Sequence, residues 1–261
     1  MPKRPPLKIQ IDSSVAILTF DRPEVYNALD TETVSAALSL VQELQTDPAV
    51  AVLVLTGAGK AFISGADIAE MRTKTPAQAR AYSELGHQLM RAIEQLGKPT
   101  IAVINGYCIG GGMEVALASD IRIASDKARF GLPETILGII PGLGALPRVS
   151  RLVGAAVAKE LVFTGDLIDA RRALETGLVN HLVAHEELMG FALEMAAKIR
   201  RQSRFAVARA KEVIDAGLDR SLADACRLEM DAFVACFEAG EQAEGMQAFL
   251  EKREPRFAGP D

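Results

Sequence analysis

The segment NGYCIGGGMEVALASDIRIAS, residues 105–125, combines a glycine run, a carboxylate and an alanine-rich apolar stretch. It overlaps PTIAVING, residues 99–106, which is apolar enough to be a buried strand. Glycine is a poor helix former, yet Gly110 to Gly112 stand at the entrance of a predicted helix whose first turn carries Glu114. A strand ending near Asn105 and a helix starting near Gly112 leave backbone amides unpaired at that entrance. The segment therefore predicts a strand–loop–helix unit whose helix entrance favours negative charge.

Glycines at a helix entrance let a ligand oxygen reach the amides without meeting a Cβ atom. A second loop, AFISGAD at residues 61–67, also follows a strand and also ends in small residues before an acid. Two such loops could each donate one N–H to the same oxygen, which is how enolates and tetrahedral oxyanions are stabilised. The alternative is that the glycines only permit tight packing of the strand against the helix.

Two glutamates accompany these loops. Glu114 lies two residues after Gly112, and Glu134 lies in FGLPETILG after Pro133. Both glutamates lie in apolar sequence, where desolvation raises a carboxyl pKa while a nearby helix entrance lowers it. An acid balanced in this way can exchange protons near neutral pH. The simpler alternative for each is a first-turn acid that only stabilises the helix dipole.

Outward from this segment, strands and helices alternate up to residue 125. Residues 7–20 predict a β-hairpin, Asp30 predicts a helix N-cap, residues 50–56 predict a strand, and Thr75-Pro76 predicts another helix start. The alternation indicates an α/β class. Beyond about residue 185 only amphipathic helices are predicted, so we divide the chain into an α/β core, residues 1–197, and a helical oligomerisation segment, residues 198–261. Packing of these helices on their own core is the alternative.

Composition excludes several classes of protein. Of the 261 residues 49% are hydrophobic and 24% charged, enough for a sizeable core, and the net charge of −5 argues against nucleic acid as the main partner. The N-terminal sequence predicts no signal peptide, and no apolar run reaches the roughly 18 residues of a membrane span. Three cysteines without a CxxC pair fit a cytoplasmic location. The three histidines are scattered, so we expect no metal site.

Other catalytic and binding motifs are missing or incomplete. The run from Gly57 to Lys60 lacks the spacing of a phosphate-binding loop, and the glycines at 106–112 do not match a dinucleotide fingerprint. No GxSxG elbow is present, which removes serine hydrolases of that type.

Three motifs together resemble one family. NGYCIGGGMEVALASDIRIAS, FGLPETILGIIPGLG and AFISGADIAEM are similar to the enoyl-CoA hydratase/isomerase (crotonase) family, and the likeness extends from DRPEVYNALD to EGMQAFLEKR. The resemblance implies a crotonase-type spiral of ββα units with a C-terminal helical trimerisation segment. It also implies a homotrimer or a hexamer of two trimers, acyl-CoA thioesters as substrates in fatty acid metabolism, and no metal or redox cofactor.

The resemblance also assigns site residues. The thioester oxygen is expected between the amides of Ala66 and Gly111, and Glu114 and Glu134 match the two catalytic acids of the hydratases. The expected reaction is addition of water across the double bond of a 2-enoyl-CoA, with Glu114 as base and Glu134 as the donor of a proton to Cα. The residues expected to border the adenine end of CoA are Gly65, Asp67 and Ile68.

Two other functions stay open. Double-bond isomerisation uses the same scaffold, often with a single acid, so the presence of both glutamates favours hydration. RNA binding is the less favoured alternative, raised by the basic run between Lys198 and Lys211. A solvated helix face or a subunit contact is the simpler interpretation of that run.

Overall fold

The computed structural model describes residues 5–257; the ends of the two predicted segments, residues 1–4 and 258–261, lie outside the described residues. Within that range the strands form two sheets. The strands are β1 (Leu7–Asp12), β2 (Val15–Phe20), β3 (Val52–Gly57), β4 (Ala61–Ile63), β5 (Thr100–Ile104), β6 (Tyr107–Ile109), β7 (Ile121–Ser125), β8 (Arg129–Gly131), β9 (Ile168–Asp169) and β10 (His181–Val183).

The helices alternate with these strands up to β10 and continue without strands after it. They are α1 (Thr31–Thr46), α2 (Ile68–Met71), α3 (Pro76–Glu94), α4 (Gly111–Ala118), α5 (Ala145–Val153), α6 (Ala155–Thr164), α7 (Ala170–Glu175), α8 (Leu188–Arg200), α9 (Arg204–Gly217), α10 (Leu222–Glu238) and α11 (Glu241–Leu250). Short 3-10 turns cover Pro23–Val25, Pro133–Leu137 and His185–Glu187. The predicted α/β class and the all-helical C-terminal part are confirmed.

Local sequence explains the element boundaries. Ser13 and Ser14 adopt φ values of 48° and 61°, as the tight turn between the antiparallel strands β1 and β2 requires. Asp30 caps α1 by accepting the Thr33 amide at 2.8 Å. At α3, Thr75 and Gln78 form a complete capping box ahead of Pro76. These starts agree with the prediction.

The larger sheet has the strand order β1-β2-β3-β5-β7-β10 and is parallel apart from β1. Alternate residues of β3 enter two different cores: Leu53 and Leu55 pack with α1 and α3, while Val52 and Val54 pack with α8. A sheet covered on both faces explains why its strands are continuous apolar runs.

The smaller sheet, β4-β6-β8-β9, is absent from the sequence prediction. Its strands are two or three residues long, too short for an alternation of apolar and polar residues to be recognised. One of them, β6, lies within the predicted loop between β5 and the glycine run, so this loop contains a short strand that the sequence did not predict. The helix α4 begins at Gly111, close to the predicted start.

The predicted boundary between residues 197 and 198 falls inside α8, whose Ala192 and Ala196 pack on the larger sheet. The change in packing comes after this helix, because α9 and α10 contain no buried residue. Along the chain from residue 5 to residue 257, no helix is both long and apolar enough to cross a membrane.

Candidate active site

Two backbone segments bring the predicted oxyanion donors together. Leu29 forms an isolated parallel bridge to Ala66, in which the Leu29 amide donates to the Gly65 carbonyl at 2.8 Å and its carbonyl accepts the Asp67 amide at 2.9 Å. Neighbouring amides of an extended chain point in opposite directions, so the Ala66 amide faces away from Leu29. A Cβ atom built on Gly111 would lie 3.6 Å from the Ala66 nitrogen.

Both amides are available to a ligand. Gly111 is the first residue of α4, and the N-cap Gly110 contributes no side chain to that helix end. Within residues 5–257, neither the Ala66 amide nor the Gly111 amide donates a hydrogen bond. Two unpaired N–H groups on adjacent backbones, one of them at a helix N-terminus, form a suitable pocket for a developing negative charge.

The three glycines divide between the two interpretations of the glycine run. A Cβ atom on Gly112 would lie 2.1 Å from the Ile63 carbonyl oxygen, so this glycine permits close packing of α4 against β4. Gly110, with φ of 52°, instead faces a carboxylate: its Cβ atom would lie 2.6 Å from Oε1 of Glu134. Packing therefore explains Gly112, whereas Gly110 and Gly111 line the candidate site.

Glu114 is fixed by backbone donors. It lies in the first turn of α4 and is only 2% exposed. Its Oε1 accepts the Leu143 amide at 2.6 Å and the Ala145 amide at 3.1 Å. Burial raises the pKa of Glu114 to about 7, against the lowering effect of these two hydrogen bonds. The Glu114 carboxyl group thus has a fixed orientation and a pKa near neutral pH.

Glu134 is held far less firmly. It lies in the 3-10 turn Pro133–Leu137, and its Oε2 is buried without a hydrogen-bond partner among the described residues. Burial raises the pKa of this carboxyl group too. The negative charge of Glu134 adds to the raised pKa of Glu114, as expected of two acids that share one site.

The residues expected at the adenine end of CoA lie beside the Ala66 loop. Gly65 has φ of 121°, and Asp67 caps α2 by accepting the Ala69 amide at 3.1 Å. Asp67 also pairs with Arg22 at 3.2 Å. The side chain of Ile68 is 48% exposed, which offers an apolar surface next to the loop.

Several residues that support the site were not found from the sequence. The backbone donors Leu143 and Ala145 carry no side-chain signal for this role. Arg148 contacts the same loop through the Gly144 carbonyl, at 3.0 Å. The buried hydroxyl of Tyr82 donates to the Leu29 carbonyl at 2.9 Å, beside the bridge to Ala66.

Three cations of the predicted basic run make contacts within the chain. Arg204 donates to the Pro48 carbonyl at 2.7 Å, and Lys211 pairs with Asp120 at 2.9 Å. Arg209 pairs with Glu212 on the same helix at 2.6 Å. Two of these contacts tie α9 to the core, a use of the cations that requires no nucleic acid.

Comparison with known proteins identifies the family. The family model for enoyl-CoA hydratase/isomerase matches residues 10–260. The chain belongs to the enoyl-CoA hydratase/isomerase family. It is 43% identical to the short-chain-enoyl-CoA hydratase of Clostridium acetobutylicum, over 94% of each chain. It is 41% identical to the crotonyl-CoA hydratase of Syntrophomonas wolfei, over 95% of this chain and 96% of the relative.

A solved structure supports the same family. The enoyl-CoA hydratase from Bacillus anthracis superposes with a TM-score of 0.95 at 36% identity, over 98% of this chain and all of the other. The expected crotonase-type fold is therefore confirmed, including its C-terminal helical region.

Proposed function

We propose that this member of the enoyl-CoA hydratase family adds water across the double bond of short 2-enoyl-CoA thioesters. The observation that carries the proposal is the proximity of two unpaired amides, at Ala66 and Gly111, to the buried Glu114 and the half-buried Glu134, both with a raised pKa. The family match and the hydratase relatives support the same reaction.

The mechanism assigns each group one task. The amides of Ala66 and Gly111 donate to the thioester oxygen, which becomes an enolate oxygen as water attacks Cβ. Glu114 accepts a proton from the attacking water, and Glu134 delivers a proton to Cα when the enolate collapses. Each oxyanion donor lowers the barrier by about 3 kcal/mol. Each proton-transfer group contributes about 10²- to 10⁴-fold in rate.

The partner-free Oε2 of Glu134 supports its role at the moving proton. A buried acceptor without a partner is costly, so it gains a hydrogen bond when water or substrate binds. Oε1 of Glu114, in contrast, already accepts two amides, which keeps its carboxylate in one orientation. The reaction so written uses no metal and no redox cofactor, and we propose that the chain has no resident cofactor.

A panel of short, long and branched 2-enoyl-CoA thioesters tests the function, with loss of the conjugated-thioester absorbance as the measurement. We expect hydration of crotonyl-CoA, loss of most of it in Glu134→Gln, and retained acyl-CoA binding in that variant. The matched control is Glu194→Gln, a glutamate exposed on α8, which should turn over normally. Conversion of 3-enoyl-CoA without hydration of any 2-enoyl-CoA would instead assign the chain as an isomerase.

For CoA itself, we propose that the backbone of Gly65 and Asp67 and the side chain of Ile68 border the adenine ring. The exposed apolar side chain of Ile68 supports this assignment, because an aliphatic side chain can pack against the face of a base. Ile68→Asp should raise KM for crotonyl-CoA while leaving kcat close to wild type. An unchanged KM would remove Ile68 from the CoA site.

Self-association is proposed for the C-terminal helices, as a trimer or a hexamer of two trimers. These helices expose large apolar side chains that a monomer leaves in water, among them Leu222 at 81% and Phe249 at 82% exposure. Light scattering coupled to size exclusion gives the mass directly, and a monomer at micromolar concentration would contradict the proposal. We also propose a cytoplasmic location, supported by three unpaired cysteines among the described residues.

A further inference from the structure

We propose that the ion pair between Glu94 of α3 and Arg148 of α5 positions the catalytic carboxylate Glu114, by fixing the loop that holds it. The inference rests on the proposed hydration reaction, because it assigns the origin of the geometry of the base. Neither residue touches the substrate in this scheme. Both act through the backbone of residues 142–145.

Arg148 joins the helix to the loop. Its Nε and one terminal nitrogen donate to the two oxygens of Glu94 at 2.5 and 2.6 Å, the bidentate geometry that arginine favours. Its other terminal nitrogen donates to the Gly144 carbonyl at 3.0 Å. Each of the three guanidinium nitrogens therefore donates a hydrogen bond, and the Arg148 side chain is only 19% exposed.

The Gly144 carbonyl belongs to the same peptide group as the Ala145 amide, so its position fixes the direction of that amide. Gly144 has φ of 109°, which few residues other than glycine adopt. The amides on either side of it, from Leu143 and Ala145, both reach Oε1 of Glu114. Rotation of the Gly144 peptide would carry the Ala145 amide away from Glu114, and the hydrogen bond from Arg148 opposes that rotation.

The same face of α3 anchors the loop at two further points. The Ser83 hydroxyl donates to the Gly142 carbonyl at 2.6 Å. Leu143 lies against Gly86, where a Cβ atom would come within 2.3 Å of the leucine side chain. With Glu94 one helical face thus contacts the loop from beginning to end, which suits a rigid support for an active-site group.

The charge of Arg148 also acts on Glu114 directly. The groups that face Glu114 are Arg148, the carboxylate of Glu134 and the neutral phenol of Tyr82, with His87 against Gly144. The positive charge of Arg148 lowers the pKa of Glu114, whereas Glu134 raises it. Loss of Arg148 should therefore both loosen the carboxylate and raise its pKa.

The test compares Arg148→Met with Arg151→Met in steady-state hydration of crotonyl-CoA. Arg151 is the same residue type one turn further along α5, and it pairs with Asp219 at the surface. We expect Arg148→Met to lower kcat by about 10- to 100-fold with little change in KM. In the plot of kcat against pH, the acidic limb of Arg148→Met should move to higher pH. Arg151→Met should leave both unchanged.

Two further variants separate positioning from simple stabilisation. Arg148→Lys keeps the charge but not the fork, so kcat should fall while the acidic limb stays in place. The double reversal Glu94→Arg with Arg148→Glu restores an ion pair but no donor to Gly144. We expect it to recover the melting temperature of wild type without recovering kcat.

Three outcomes would overturn the inference: normal kcat and pH dependence in Arg148→Met, normal kcat in Arg148→Lys, or full recovery of kcat in the double reversal. If Arg148→Met does not fold, the lysine variant decides the question, since it differs least from wild type. Failure of the proposed function is a separate result, because the wild-type chain itself would then hydrate none of the thioesters.

Discussion

The regions around Glu114 and Glu134 each place a carboxyl group at the candidate site, but they differ in burial and in hydrogen bonding. Glu114 is almost completely buried, and two backbone amides from a distant loop hold one of its oxygens. Glu134 stands in a short 3-10 turn with one buried oxygen unpaired and the other against Gly110. In the proposed mechanism, one acid is therefore oriented before the substrate binds, while the other completes its hydrogen bonds with water or substrate.

That difference fits a division of labour. A base that must take a proton from water benefits from a fixed lone pair and from a pKa near the working pH. An acid that delivers a proton to Cα benefits from an oxygen with no competing partner. The pKa of both groups is raised mainly by desolvation, so what separates the two regions is hydrogen bonding and not burial alone.

The largest expected effect comes from removing the acids singly and together. Glu114→Gln and Glu134→Gln should each lower kcat by about 10²- to 10⁴-fold. Because both serve one water addition, the double variant should lose much less than the product of the two losses. The measurement is kcat for crotonyl-CoA in all four proteins. A loss equal to the product would mean that the two acids act independently.

The pH dependence of the free energy of unfolding should differ between the Glu114 region and the Glu134 region. The folded pKa of Glu114 is about 7, above its ordinary value of 4.5, so the folded state binds this proton more tightly than the unfolded state. Its contribution is fully present below pH 4.5 and is lost as pH rises to 7, by about 3 kcal/mol.

Urea unfolding at fixed protein concentration, at pH 5 and pH 8, measures this loss as the difference between wild type and Glu114→Gln. Glutamine keeps an oxygen that accepts the two amides, so the comparison isolates the charge. Glu134→Gln should reduce the pH dependence less, because its side chain is less buried. An equal reduction of the pH dependence in Glu114→Gln and Glu134→Gln would contradict this expected difference between the two carboxyl groups.

Gly110→Ala should disturb the Glu134 region alone. The new methyl group would lie 2.6 Å from Oε1 of Glu134, and φ of 52° adds backbone strain. We expect kcat to fall about 10²-fold through displacement of this acid. Gly177→Ala is the matched control: φ is 77°, and no atom lies within 4 Å of the new methyl group. Gly177→Ala should therefore have a similar backbone strain and keep the kcat of wild type.

The sequence was sufficient for the parts of the site that carry a side-chain or glycine signal. The two small-residue loops and both glutamates were predicted, and the structure brings Ala66 next to Gly111 and Glu134 next to Gly110. The hydrogen bond from the Leu143 amide to Glu114 spans 29 residues and uses a backbone donor, so it cannot be predicted from the type of residue at position 143. Arg148 was not predicted as a supporting residue, because its partner Glu94 lies on another element.

The same limit applies to the fold. Long buried strands such as β3 and β5 and capped helices such as α3 have periodic patterns or turn residues that act locally. The smaller sheet depends on pairings between three-residue segments far apart in the chain, such as Ala61 with Tyr107. Its existence follows from tertiary packing, which a local pattern does not encode.

The smallest expected effect concerns Tyr82, whose buried hydroxyl lies near Glu114 but donates to the Leu29 carbonyl. That carbonyl also accepts the Asp67 amide, so it keeps a partner in Tyr82→Phe, and the cost should be about 1 kcal/mol. If all of it appeared in the barrier, kcat would fall about 5-fold.

Tyr82→Phe should leave the acidic limb of kcat against pH where it is, because the phenol is neutral and burial raises its pKa well above the usual range. The pH profile of this variant, measured beside that of Arg148→Met, therefore tests what sets the pKa of Glu114. A shift as large as that of Arg148→Met would mean that general packing around the carboxylate, and not the charge of Arg148, controls its protonation.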